Sequence, residues 1–114
     1  MAQTCNWEAA LKRLDDDIEI MEMMTSMFIE ECPSYLNNIA DALTNQDWTL
    51  LGRELHTLKG VCSSLGAEKA TALLQNAELL IQNNQLSEIK PLIASIKQEI
   101  DSLVGILKVN LNRS

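Results

Sequence analysis

The chain carries one histidine, His56, within the segment Leu51 to Ala70, "LGRELHTLKGVCSSLGAEKA". An imidazole serves nucleophilic and proton-transfer chemistry near neutral pH, and its neighbours decide whether that chemistry is available. On a helix turning about 100° per residue, with His56 at zero, Gly52 falls at about −40° and Arg53 at about +60°. On the same scale Lys59 falls at about −60°, Gly60 at about +40° and Ser63 at about −20°. Leu51, Leu55, Leu58, Cys62 and Leu65 occupy roughly 180° to 260°, the opposite side. That apolar side faces a core, so His56 faces solvent. Glu54, at about 160°, lies awkwardly beside the apolar sector.

The glycines carry most of the information. Inside a helix each costs about 0.5–1 kcal/mol relative to alanine. Two on one face, a turn either side of an imidazole, clear side chains from the approach to the ring. Lys59 and Arg53 flank it and would attract an anion, and Ser63 adds a hydroxyl. Arg53, Lys59 and Lys69 cluster in this window although the chain's net charge is −7. Taken singly, the histidine would be an ordinary surface residue, Lys59 a solvated charge and Gly60 a close helix-packing point. Together they meet one requirement: an exposed nucleophilic imidazole that handles a dianionic group.

Other chemistries find little support. Cys5, Cys32 and Cys62 are widely spaced with no CxxC pair, so they read as free thiols, not a zinc site or a disulfide framework. One histidine cannot supply the paired Glu-x-x-His motifs of a di-iron bundle. No GxxxxGK[ST] loop is present, so no ATP site is expected. The acidic balance disfavours a phosphate-backbone partner. The apolar runs are far shorter than a membrane span and no signal-peptide pattern appears, so a soluble, cytoplasmic protein is expected.

The elements that must position the site read as helices almost throughout. At 114 residues, with 46% hydrophobic residues and only 4% aromatic ones, the chain suits one domain with an aliphatic core. Gly (4) and Pro (2) are too scarce for a domain rich in tight turns. Asn6 caps a short helix from Trp7 to Leu14. Asp15, Asp16 and Asp17 suit the N-terminus of a long second helix, in which Pro33 introduces a kink or a new start. Its methionines, Met21, Met23, Met24 and Met27, are mostly core by spacing, with one or two exposed. Asp47 caps the His56 helix, Trp48 to Ser64, which Gly66 ends in the left-handed conformation. A helix from Ala67 to about Gln82 follows. Ser87 caps a last helix with Pro91 in its first turn, and the tail from Asn110 frays. Short connections make neighbours antiparallel, giving an all-α, antiparallel four-helix bundle with a short additional N-terminal helix.

At the histidine the sequence resembles the histidine-containing phosphotransfer (HPt) domain family, whose motif reads His-x-Leu-Lys-Gly, then four residues, an apolar residue or two and Gly. Here it is His56, Thr57, Leu58, Lys59, Gly60, "VCSS", Leu65 and Gly66. The similarity extends through "MFIEECPSYLNNIADALTNQDWTLLGRELHTLKG", and residues 1–114 are expected to form one such domain with a core of about 7–107. The resemblance implies His56 as phosphoacceptor on Nε2, Lys59 stabilising phosphoryl charge and Gly60 giving access. It implies Glu78 orienting the imidazole through Nδ1, with Gly52, Arg53, Ser63 and Ser64 in support. Leu55 departs from the family, which favours a small residue just before the histidine.

The function implied is a phosphorelay module that exchanges a phosphoryl group between His56 and the aspartate of response-regulator receiver domains. The module would be a phosphocarrier, not an enzyme, and a monomer. It would bind no cofactor or metal, with Mg²⁺ expected on the receiver. A sensor kinase could hold it in the same chain or act on it from another. The alternatives are the phosphoacceptor domain of a chemotaxis-type histidine kinase, and a helical adaptor without phosphoryl chemistry.

Overall fold

The computed structural model describes residues 5–112. Five helices account for most of them: α1 (Trp7–Arg13), α2 (Ile18–Thr44), α3 (Trp48–Ser64), α4 (Glu68–Gln82) and α5 (Ile89–Asn112). A 3₁₀ turn, Leu86–Glu88, leads into α5. Helices α2 to α5 form a four-membered ring: α2 packs on α3 and α5, and α4 packs on the same two. The short α1 leans on α2 and caps one end. The expected all-α bundle with an extra N-terminal helix is the fold.

Three helix starts follow the sequence. The side chains of Asn6, Asp17 and Asp47 accept hydrogen bonds from the amides of Ala9, Ile20 and Leu50, each at 3.1 Å. Each satisfies an amide that the first helical turn leaves without a carbonyl.

The ends of α1 to α4 share one geometry. In each, the residue after the C-cap is left-handed: Asp15 (φ 53°), Gln46 (φ 53°), Gly66 (φ 74°) and Asn84 (φ 58°). The following amide returns to a carbonyl five residues back, as in Ala67 N to Cys62 O at 2.9 Å and Asp16 N to Leu11 O at 2.7 Å. These are Schellman motifs. Asp15 therefore ends α1 and does not begin α2. Asp16 (φ 59°) extends the reversal, and only Asp17 acts as the cap of α2.

Three further expectations change. Pro33 does not start a new helix: α2 runs unbroken through it for 27 residues. Pro33 sits on the exposed side, where water can serve the Ile29 carbonyl that loses its amide donor. Ser87 does not cap α5. It lies inside the 3₁₀ turn, whose tighter bonding carries the chain straight into α5 at Ile89, and Pro91 falls in the first turn as expected. The tail remains helical through Asn112, and Arg113 and Ser114 lie outside the described residues.

The core is aliphatic. Met21, Phe28 and Ile39 from α2 meet Leu51, Leu55, Leu58 and Cys62 from α3, with Leu74 from α4 and Ile96, Ile100 and Leu103 from α5. Met21 is buried and Met24 packs at the core's edge, whereas Met23 and Met27 are exposed. All three cysteines are free thiols, Cys32 and Cys62 buried and Cys5 half-buried. No helix among the described residues is long and apolar enough to cross a membrane.

Candidate functional site

The phase of α3 does what its sequence demands. Leu51, Leu55, Leu58 and Cys62 are fully buried, and the His56 side chain on the far face is 72% exposed. Leu55 points into the core, so the departure from a small residue there is taken up by packing. Glu54 is half-buried at the α2–α3 edge, in a polar cleft shared with Glu31, Tyr35, Asn38, Arg53 and Thr57. Burial, then Glu31, then Glu54 push the Tyr35 phenol upward.

Helix α4 supplies the other half of the site. Glu78 Oε2 lies 3.3 Å from His56 Nδ1, and Glu78 Oε1 lies 3.1 Å from Lys59 Nζ. Glu78 is only 11% exposed. One carboxylate thus spans the imidazole and the ammonium, which sit three residues apart on one face of α3. An ionised carboxylate only accepts hydrogen bonds, so this contact requires the proton on Nδ1. The Nδ1–H tautomer leaves Nε2 with its lone pair free.

Lys59 also donates to Gln75 Oε1 at 2.8 Å. Gln75 was not singled out from the sequence. Its spacing of three from Glu78 puts both on one face of α4, and that was the available signal. The contact between α3 and α4 itself could not be read from either helix alone.

The glycines are explained by space. A Cβ built on Gly52 or Gly60 meets nothing within 4 Å. Neither glycine is a helix-packing point, so what they contribute lies outside the fold. Gly66 differs: a Cβ there would collide with the backbone carbonyl of Asn6, whose amide donates to Gly66 O at 2.6 Å.

The remaining candidates divide. Ser64 Oγ donates to the Gly60 carbonyl at 3.1 Å and is spent within the helix. Ser63 is exposed and lines a shallow depression with Thr71 and Gln75. Arg53 is exposed on the side of His56 facing α2, beside the polar cleft. The structure therefore joins His56, Lys59, Glu78 and Gln75 into one network and leaves Arg53 and Ser63 outside it. No cluster of three or more potential metal ligands occurs among the described residues.

Comparison with known proteins identifies the fold and the family. A crystal structure of the HPT domain from the Hpt sensor hybrid histidine kinase of Shewanella superimposes with a TM-score of 0.88, covering 97% of this chain and 96% of that one at 20% identity. That likeness establishes the fold. Histidine-containing phosphotransfer protein 2 of Arabidopsis thaliana is 35% identical over 68 residues, 55% of this chain and 44% of that protein. The match thus takes in under half the length of that relative. The family model described as Hpt domain matches residues 23–105, a span holding α3, α4 and every member of the His56 network, and the chain belongs to the Hpt domain family.

Proposed function

We propose that this chain is a cytoplasmic histidine phosphotransfer module of a phosphorelay, exchanging a phosphoryl group between His56 Nε2 and the aspartate of a receiver domain. The observation that carries the reading is the contact of Glu78 with Nδ1 beneath a largely exposed ring. It selects the tautomer whose Nε2 is a nucleophile. Family membership supports the same chemistry.

In the transfer step the Nε2 lone pair attacks phosphorus as the bond to the aspartate oxygen breaks, and that oxygen keeps the electron pair as carboxylate. The imidazole then holds a proton on Nδ1 and the phosphoryl group on Nε2, so it gains one positive charge. Glu78 faces that charge directly, and Lys59, itself held by Gln75, pairs with Glu78 from the other side. The receiver would supply Mg²⁺ and the remaining catalytic groups, consistent with an acceptor that offers position and electrostatics. The open space over Gly52 and Gly60 admits the receiver. On this reading the chain is a phosphocarrier that works as a monomer.

The test is transfer of labelled phosphoryl from a panel of phosphorylated receiver domains to the wild-type protein and to His56→Gln. Acid-labile, alkali-stable label on wild type alone is expected. Equal labelling of the His56→Gln variant would sink the assignment.

A further inference from the structure

The network that orients His56 consumes the cation most obviously available to the phosphoryl group. Lys59 Nζ holds an ion pair with Glu78 Oε1 at 3.1 Å and a hydrogen bond to Gln75 at 2.8 Å, both on α4. Glu78 Oε1 is itself buried from solvent, and Lys59 is the only cation paired with it among the described residues. Moving Lys59 to the phosphoryl group would strand that buried oxygen, which is costly.

Direction reinforces the point. The two imidazole nitrogens point away from each other. Nδ1 is aimed at Glu78 on α4, so Nε2, on the opposite side of the imidazole, is aimed away from α4. By helical phase Lys59 lies on the α4 side of His56, at about −60°, and Arg53 on the α2 side, at about +60°. The cleft that Arg53 shares with Glu31, Tyr35 and Asn38 of α2 places it there independently. Arg53 is exposed, and its guanidinium has no hydrogen bond or ion pair among the described residues. A guanidinium matches phosphoryl oxygens through two parallel N–H donors.

Given His56 as phosphoacceptor, we propose that Arg53 is the side chain that contacts the phosphoryl oxygens on Nε2, while Lys59 is a positioning residue acting through Glu78. The two cations beside His56 then divide the work: one is fixed under the ring before transfer, the other is free on the side where the new charge arrives.

The test does not depend on a receiver. Phosphoramidate loads exposed imidazoles directly, and His56 is the only histidine. The phosphohistidine signal is followed by ³¹P NMR across pH in wild type, Arg53→Gln, Arg53→Lys and Lys59→Gln. A cation touching the phosphoryl oxygens favours the dianion and lowers the midpoint of its second ionisation. Arg53→Gln should raise that midpoint by about half a pH unit, Arg53→Lys should restore most of it, and Lys59→Gln should move it less than Arg53→Gln. Lys59→Gln should instead perturb the Nδ1–H tautomer seen by ¹⁵N NMR in the unloaded protein. An unmoved midpoint in Arg53→Gln, or a larger shift in Lys59→Gln, overturns the assignment. Failure of every receiver to label the wild type would count against the phosphorelay reading alone, since this measurement would still report on Arg53.

Discussion

At the scale of single residues, the site is a set of short-range relations on α3 completed by two partners on α4, Glu78 and Gln75. The relations on α3 were legible because they are spacings: Lys59 and Gly60 lie three and four residues from His56, and the opposite face is apolar. Glu78 was reached only through resemblance, and Gln75 was missed, because a contact between two helices has no signature in either one. The carboxylate that spans Nδ1 and Lys59 has a measurable consequence. Glu78→Ala should slow phosphoryl acceptance on the order of 10- to 100-fold by freeing the ring. Glu78→Gln, whose amide oxygen still accepts from Nδ1–H, should retain most of the rate. Single-turnover transfer from one competent receiver distinguishes them, and equal losses in the two would show that charge, not orientation, is what Glu78 supplies. Gly60→Ala is the complementary case. Its new methyl meets nothing, so helix propensity alone should stabilise the protein by about 0.5–1 kcal/mol while transfer from a receiver slows. A urea titration and a transfer assay on one preparation would read both.

At the scale of elements, helix number and order were legible from apolar periodicity, and so were the caps Asn6 and Asp47, whereas Asp17 was legible only as one of three aspartates at the start of α2. The ends were harder. Aspartate suits both a helix N-terminus and a left-handed turn, and Asp15 and Asp16 take the second role. Ser87 has the chemistry of a cap, but the 3₁₀ turn leaves it no free helix start to serve. Of the four left-handed positions that follow a C-cap, only Gly66 is a glycine, and only there does the structure require one twice over. Its φ of 74° disfavours a side chain, and a Cβ would strike the Asn6 carbonyl. Gly66→Ala should therefore destabilise the fold by more than the roughly 1–2 kcal/mol of a left-handed alanine. The loss should come with early release of α1, because the Asn6 amide bonds to Gly66. Hydrogen exchange at the amides of α1 would reveal it. Protection of α1 unchanged from wild type would show that its anchor lies elsewhere.

At the scale of the whole molecule, the aliphatic core that composition predicted also holds two thiols, and these give stability a dependence on alkaline pH. Burial first, then Cys32 and Glu99, push the Cys62 thiol from 9.0 up to about 12. Burial and Asp101 push Cys32 up to about 11. The sign follows from proton binding. Between pH 9 and the raised values the unfolded chain loses these protons while the folded chain keeps them, so the unfolded state is favoured as pH rises. The contribution is complete below about pH 9 and is lost progressively above it, with a limiting slope of about 1.4 kcal/mol per pH unit for each thiol. The Tyr35 phenol, also raised from its ordinary value of 10.0, adds to the decline only at higher pH. Unfolding midpoints in urea measured from pH 7 to pH 10 isolate the thiols. Cys62→Ala should be less stable than wild type at pH 7, because it leaves a cavity in the core, yet its stability should fall less steeply above pH 9. Parallel curves for the two proteins would mean that Cys62 ionises in the folded state as readily as in the unfolded one, and that the centre of the bundle opens far enough to admit hydroxide.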